Sequence, residues 1–493
     1  MNLLPQSQRV RVGAVRAVLA GVAAVAGSYA AAGFTTGFVG APLEAMLSRA
    51  APASLVTFAI VVLGDIGQKL NLLAAITLAV LLIACLAAAA LATGWRQRSG
   101  LVSVTVALGL TWAAVTLLTG SPVLALAAAL PASAVIALTI PGIRPSDVDA
   151  TARRRLLTAV AGVAGFSVLS YVVGGVRSRD ETEDLPLGLT AAQHQEIDTL
   201  LAEAESKSLS VSGLEPLVST NFYEVDIAAV NPNTAPENWT LSLTGAVSED
   251  ATFTYDDIRA LPVEQRFITL RCVGDSLNGT KMDNALWTGT PLAPLLDEVT
   301  TESGCECAML RAGDGYYVQF PIAALKRGFL AYGMNGRPLP RSHGAPVRVL
   351  IPGHWGEINV KWLTEIEFLD EAVDGYWEER GWHGTGPVNI VAKLWVDTLN
   401  DDDTVTVAGH AYAGLMDVSA VEVNTGDGWQ KATLSEPLPG EDVWRQWSYT
   451  YPHPGSQHRV RVRAITGDGT VQANEELPAF PNGPSGWVSR TVQ

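Results

Sequence analysis

Between Val12 and Val173 the chain carries apolar stretches long enough to cross a lipid bilayer, and any fold must give them an apolar surrounding. They run near Val12–Phe34, Ala53–Gly67, Leu70–Ala92, Leu101–Leu118, Val123–Ile140 and Leu156–Val173. A helical span needs about 20 residues. The second stretch is short and contains Asp65, which points to a re-entrant segment at the interface. Five or six membrane helices are therefore expected over residues 1–176. Glu44, Asp65, Asp147 and Asp149 fall mostly at segment ends, so no intramembrane ion path is expected. The block reads as an anchor, with a surface available to a quinone or a partner subunit.

Charge divides the chain at the same place. Up to residue 176 there are 11 Lys and Arg against 4 Asp and Glu; beyond it there are 22 against 45. The acidic remainder repels nucleic acid and anionic lipid surfaces. Only 7 of its basic residues and those of the anchor together are Lys. Acid excess with few lysines is the composition expected of a salt-loving organism, ahead of the other reading, an ordinary acidic protein encoded by a GC-rich genome. Positive charge flanks the spans at Arg9, Arg11, Arg96, Arg98 and Arg153-Arg154-Arg155. Cationic flanks stay inside, so the triplet sends the chain outward through the last span. Arg9 and Arg11 agree only if one of the first three stretches does not cross. The triplet also resembles a twin-arginine export signal; simple charge anchoring gives the same outcome.

Residues 177–212 are polar and acidic, and Thr190–Lys207 has the spacing of a surface linker helix. From Gly213 short β-type runs appear at Trp239–Gly245, Phe267–Val273 and Ala345–Ile351, with helical runs at Asp256–Ala260 and Pro291–Val299. This predicts an α+β domain over 213–395. Over 396–493, strands at Thr404–Ala408, Ala420–Asn424, Trp447–Tyr451 and Arg459–Ile465 alternate with Gly/Asp turns, the pattern of an all-β immunoglobulin-like sandwich. Trp429, Trp444 and Trp447 are expected in its core.

Four cysteines make no disulfide framework. Cys85 lies in an apolar run. Cys305-Glu306-Cys307 admits either a metal site or a strained pair. Cys272 ends the strand-like run Phe267–Val273 and precedes the turn-rich loop Gly274–Gly279, a position that can aim a thiol into a pocket. A soft thiolate suits a transition metal, although a lone buried cysteine is usually inert. Arg348 has the planar fork that grips phosphate or pterin oxygens, and Lys361 adds a point charge.

Three segments give these residues a context: "YGMNGRPLP" (Tyr332–Pro340), "HGAPVRVLIPG" (His343–Gly353) and "VKWL" (Val360–Leu363). With "NFYEVD" (Asn221–Asp226) and the cysteine loop, they resemble the sulfite oxidase family of molybdopterin enzymes. The resemblance implies a molybdenum cofactor, or its tungsten variant, with Cys272 as metal ligand. It implies cofactor contacts from Tyr223, Glu224, His343, Arg348, Asn359, Val360 and Lys361. Tyr316, with Tyr317 as competitor, takes the place of a tyrosine that faces the substrate and handles protons. "VTVAGHAY" (Val405–Tyr412), "VEVNTGDGW" (Val421–Trp429), "VWRQW" (Val443–Trp447) and "RVRVRAITGDGTVQ" (Arg459–Gln472) resemble the family's dimerisation domain, implying a homodimer.

The chain departs from the family where sulfite oxidases place substrate-holding arginines. Glu224 and the uncharged Ser276-Leu277-Asn278 stand there. Glu224 matches the methionine sulfoxide reductase branch, and a carboxylate beside an anion site repels its substrate. A small oxyanion or a sulfoxide is the expected substrate class, with Arg271 or Arg311 as other sources of positive charge. A sulfite oxidase with an atypical anion site, or a tethered binding protein without chemistry, is the alternative reading. No haem-binding His-Pro-Gly-Gly and no G-x-G-x-x-G occur, so electrons are expected to pass to a separate carrier or membrane partner. The expected location is the cell membrane, with the acidic part outside the cytoplasm. Protease added to intact cells should release a fragment beginning within residues 177–212, and full protection of that fragment would contradict the orientation.

Overall fold

The computed structural model describes residues 6–139, 148–178, 187–302, 304–383 and 386–492; for 6–11, 61, 65 and 148–153 it describes the backbone alone. Asp147 lies outside the described residues, as do the side chains of Arg9, Arg11, Asp65, Asp149 and Arg153. Two compact units form: residues 1–59, 63–180 and 226–233 make a helical unit, and residues 60–62, 181–225 and 234–493 make the other.

Among the described residues of the helical unit, 5 helices are long and apolar enough to cross a membrane: Val12–Ala32, Ile66–Gln97, Gly100–Thr119, Pro122–Thr139 and Arg154–Arg177. The stretch at Ala53–Gly67 does not cross as one piece. Its helix Ala53–Phe58 widens into a π turn at Ala59–Leu63 and stops at Gly64, whose φ of 52° is open to glycine at little cost. The next helix, Asp65–Gln97, then absorbs the remainder. The first helix packs on Asp65–Gln97, Pro122–Thr139 and Val148–Arg177. The shared core is rich in alanine: Ala17, Ala20, Ala24, Ala75, Ala79, Ala128 and Ala132 are all buried. Small side chains let helices approach closely where lipid, not water, surrounds them. Leu101, Leu117, Val123 and Leu138 are exposed on the outside of this bundle.

A short helix, Gly40–Ala50, was not expected. It buries Glu44, whose Oε1 accepts from Asn71 Nδ2 at 2.5 Å and Ser48 Oγ at 3.3 Å, while Oε2 accepts from the Ala229 amide at 3.1 Å. This carboxyl is a tie within the unit and lies outside the five spans.

The second unit begins with the helix Ala191–Lys207, capped by Thr190 and Gln193 in a reciprocal capping box. It is more than a surface linker, because Ile197 and Ala204 enter the main core. Two five-stranded sheets follow. One orders Ala251–Thr254, Thr240–Gly245, Leu363–Leu369, Cys307–Ala312 and Tyr317–Pro321, with only the Thr240–Gly245 and Leu363–Leu369 pair parallel. The other pairs Glu264–Arg271 with Met282–Pro291, then Phe329–Met334, which carries Arg337–Pro338 and Arg348–Leu350. Helices here are short, such as Tyr255–Ala260 and Ala293–Leu296, so this part is β-rich.

Strand alternation decides which way Cys272 faces. Ile268 and Leu270 pack with Phe222, Trp287 and the partly buried Tyr223, whereas Phe267 joins the core shared with Trp444 and Trp447. With a side-chain period of two, Cys272 falls on the Ile268, Leu270 and Tyr223 face. The ladder continues to it, because its amide donates to the Lys281 carbonyl at 3.0 Å.

The last hundred residues form two antiparallel sheets around Val405, Val407, Val421, Val423, Val460 and Val462. The expected strands appear as Thr404–Tyr412, Val418–Asn424, Arg445–Pro452 and His458–Thr466. Trp444 and Trp447 are fully buried. Trp429 is not core: it lies half-buried, with the Arg463 guanidinium 4.1 Å from its ring centroid. Cys305 and Cys307 form a disulfide, with Glu306 between them at a φ of 52°. No group of three or more metal-ligating side chains occurs among the described residues.

A fully buried ion pair joins the cysteine loop to the chain beyond it. Lys393 Nζ lies 2.8 Å from Asp275 Oδ2 and donates to the Gly279 carbonyl at 2.6 Å. Lys393→Ala leaves a buried carboxylate without its cation, a change worth roughly 3–5 kcal/mol. Denaturant unfolding of the detergent-solubilised chain, followed by tryptophan fluorescence, should register that loss. A change under about 1 kcal/mol, the range of exposed pairs, would contradict the pairing.

Candidate active site

Cys272 is buried at the end of its strand, and burial, with Asp275 adding to it, pushes its thiol up to about 11. The thiol is therefore protonated unless a bound cation draws the proton off, as a soft metal does. Over it lies the turn Gly356–Ile358. A side chain at Gly356 would meet the Tyr223 hydroxyl at 2.6 Å and the Arg271 carbonyl at 3.3 Å, so only glycine lets the turn approach this closely. Tyr223 is partly buried beside Cys272, with Asp283 and Arg348 also in electrostatic reach, and desolvation of its hydroxyl raises it well above the usual range. Its amide donates to Asp283 Oδ2 at 2.9 Å, and Ser219 Oγ donates to Oδ1 at 2.8 Å.

A basic cluster occupies the adjoining part of the same unit. Arg348 is buried, donating from Nη1 to the His343 carbonyl at 3.0 Å and from Nη2 to the Asn359 carbonyl at 2.8 Å. Its guanidinium lies 5.2 Å from the Trp287 ring centroid. Lys361 Nζ donates to the Ser342 carbonyl at 2.8 Å. Burial, then the charges of Lys361 and Arg348, hold His343 down to about 3. The ring is neutral, so the 4.0 Å approach of Glu224 Oε1 to His343 Nε2 is not an ion pair. Glu224 itself is half exposed.

Asn359 and Val360 are buried, but their polar groups serve the fold. The Asn359 side chain accepts from the Ile351 amide at 2.6 Å and donates to the Trp355 carbonyl at 3.0 Å. The Val360 carbonyl accepts from the Val349 amide at 3.0 Å. These residues hold Arg348 and its strand. Tyr316 is the buried member of the tyrosine pair and donates to the Glu357 carbonyl at 3.0 Å, whereas Tyr317 donates to Glu379 at an exposed edge. Arg271 is buried over Trp355 and donates to the Asn389 carbonyl at 2.7 Å and the Pro484 carbonyl at 3.3 Å. Arg311 pairs with Glu367 and Glu365 on the other sheet.

The sequence reading missed Lys393, Asp283, Glu357 and Glu378. Glu357 had a visible signal: it is the one acid in the otherwise apolar and basic run His354–Lys361.

Residues 228–377 match the family described as "Oxidoreductase molybdopterin binding domain". Human mitochondrial sulfite oxidase is 27% identical over 308 residues, covering 50% of this chain and 56% of the relative. The Ralstonia nicotianae protein-methionine-sulfoxide reductase catalytic subunit is 27% identical over 259 residues, covering 46% of this chain and 71% of the relative. The sulfane dehydrogenase SoxCD from Paracoccus pantotrophus aligns with a TM-score of 0.43 and 18% identity, over 60% of this chain and 87% of that one. Residues 228–377 are an oxidoreductase molybdopterin-binding domain, similar to that of sulfite oxidase. Mo-molybdopterin is its cofactor. The chain spans about half the length of the first curated relatives it matches. The residues present fit the group: a buried thiol stands at one end, and Arg348, Lys361 and neutral His343 supply donors to a polar, phosphate-bearing ligand.

Proposed function

We propose that this chain is a membrane-anchored molybdenum-cofactor enzyme that exchanges an oxygen atom with a small sulfur or nitrogen oxo compound. In this reading Cys272 ligates the metal, Arg348, His343 and Lys361 hold the pterin and phosphate, and Tyr223 closes the pocket beside the thiol. Tyr316 faces the substrate. Residues 396–493 are an immunoglobulin-like dimerisation domain, and electrons pass to or from a separate carrier. The observation that carries the proposal is the buried Cys272 thiol at a strand end, on the Tyr223 face and under the Gly356 turn. When bound, molybdenum supplies the two-electron exchange; the chain orients the substrate, excludes water and handles protons.

Five spans support the expected orientation. With the N-terminus inside, parity puts the flanks at Arg9 and Arg11, at Arg96 and Arg98, and at Arg154 and Arg155 on one side, and sends the last span outward.

A neutral oxygen donor such as a sulfoxide suits the site better than sulfite. Of the cations by the cysteine loop, Arg271 and Lys393 are held by carbonyls and by Asp275, and Lys281 is in electrostatic reach of Cys272. The half-exposed Glu224 carboxyl lies in the neighbourhood. In a low-dielectric pocket a dianion meets little attraction and some repulsion, whereas an S=O group needs only a donor such as Tyr316.

Purified wild-type protein should hold about one molybdenum per chain and turn over a sulfoxide faster than sulfite. Cys272→Ser should stay folded and lose turnover with both. Near-wild-type activity in Cys272→Ser with molybdenum bound would overturn the proposal.

A further inference from the structure

Glu357 lies in the wall of this site with no task yet assigned. It sits in the turn Gly356–Ile358, next to the glycine that covers the Arg271 carbonyl, and its own backbone carbonyl receives the Tyr316 hydroxyl. Both of its carboxyl oxygens are shut off from solvent, and neither has a hydrogen-bond partner among the described residues. A second acid lies close by. Glu378 Oε2 is also buried and without a partner. It folds over Gly375, beside Val318 and Gln319 of the strand Tyr317–Pro321, and that strand packs on the Glu357 turn.

An ionised carboxylate buried without a donor is costly, so the group keeps its proton instead. Burial, with the charge of Glu378 added, pushes Glu357 up to about 8. Glu378 is also raised, first by burial and then by Asp374, while its backbone hydrogen bonds and His383 pull it back. The remaining titratable groups in reach are Tyr316, which the Glu357 charge would raise, and Cys272. The Glu378 side chain is only partly covered, which gives the pair one dry end and one end near water.

We propose that Glu357 is the proton-holding group of the oxygen-transfer site and exchanges its proton with solvent by way of Glu378. This rests on the oxidoreductase reading above. Reduction of a sulfoxide consumes two protons and two electrons and yields a thioether and water. Two successive one-electron transfers from a carrier protein supply the electrons. The protons reach the departing oxygen from the Glu357 carboxyl, whose O–H bond breaks as that of water forms, and Glu378 passes a replacement inward from solvent. In the oxidative direction the same pair takes protons out. Glu357 is not a metal ligand in this scheme.

Infrared spectroscopy of the cofactor-loaded, detergent-solubilised chain tests this without relying on turnover. Wild-type protein should show a neutral carboxylic-acid C=O band at neutral pH that is absent in Glu357→Gln and is lost on titration near pH 8. Glu378→Gln removes a like charge, so the titration should move to lower pH. Glu357→Gln should keep molybdenum and pterin while kcat falls about 10²-fold with KM little changed, and Glu357→Asp should recover part of the loss. No such band in wild type, or a fully loaded Glu357→Gln with wild-type kcat at every pH, would overturn the proton role and leave the oxidoreductase reading intact. Wild-type chain without molybdenum or pterin would overturn that reading and the task given to Glu357 with it.

Discussion

An ammonium group cannot be buried alone, and the cysteine loop is built around one. Lys393 is fully buried, and burial holds its amine down to about 8 despite the favourable charge of Asp275. It stays there because the loop after Cys272 surrounds it: Asp275 supplies the anion and Gly279 a carbonyl. The next residue adds a second lock. Asn278 Nδ2 donates to the Leu394 carbonyl at 2.8 Å, and the Leu394 amide donates back to Asn278 Oδ1 at 2.8 Å. The direction of the Cys272 thiol is therefore set from more than a hundred residues further along the chain. Loss of the pair frees the loop before it disturbs the sheet.

The site has two ends of different electrical character. Arg348 and Lys361 sit on tryptophan faces and backbone carbonyls, contacts that hold the two cations oriented. Around the thiol the groups are neutral donors and carboxyls: Tyr223, Tyr316, Glu357. Burial raises each of these three and the Cys272 thiol, so they keep their protons at neutral pH. One end thus suits a phosphate-bearing cofactor, and the other suits chemistry that moves protons.

Local pattern carried much of this in the sequence. Apolar run length marked the spans, and strand alternation with turn residues marked Cys272 and the late strands. Contacts between distant residues were not legible. Lys393 reads as an ordinary surface lysine until Asp275 is seen beside it. The break at Gly64 depends on a left-handed backbone within an apolar run, which hydropathy does not register. Asn359 and Val360 were expected to meet the cofactor because they lie in its motif; that their polar atoms also place Arg348 and its strand could not be read from the sequence. Trp429 looked like core by residue type, but its strand, Trp429–Lys431, lies at the edge of its sheet, where an aromatic face meets arginines instead.

The proposed chemistry requires Cys272 to reach the metal. X-ray absorption at the molybdenum edge of the purified, cofactor-loaded chain measures this directly, by counting sulfur neighbours in wild type and in Cys272→Ser. Both dithiolene sulfurs and one further sulfur are expected in wild type, with the further one missing in the variant. An unchanged sulfur shell in Cys272→Ser, with molybdenum still bound, would contradict the assignment of Cys272 as the ligand.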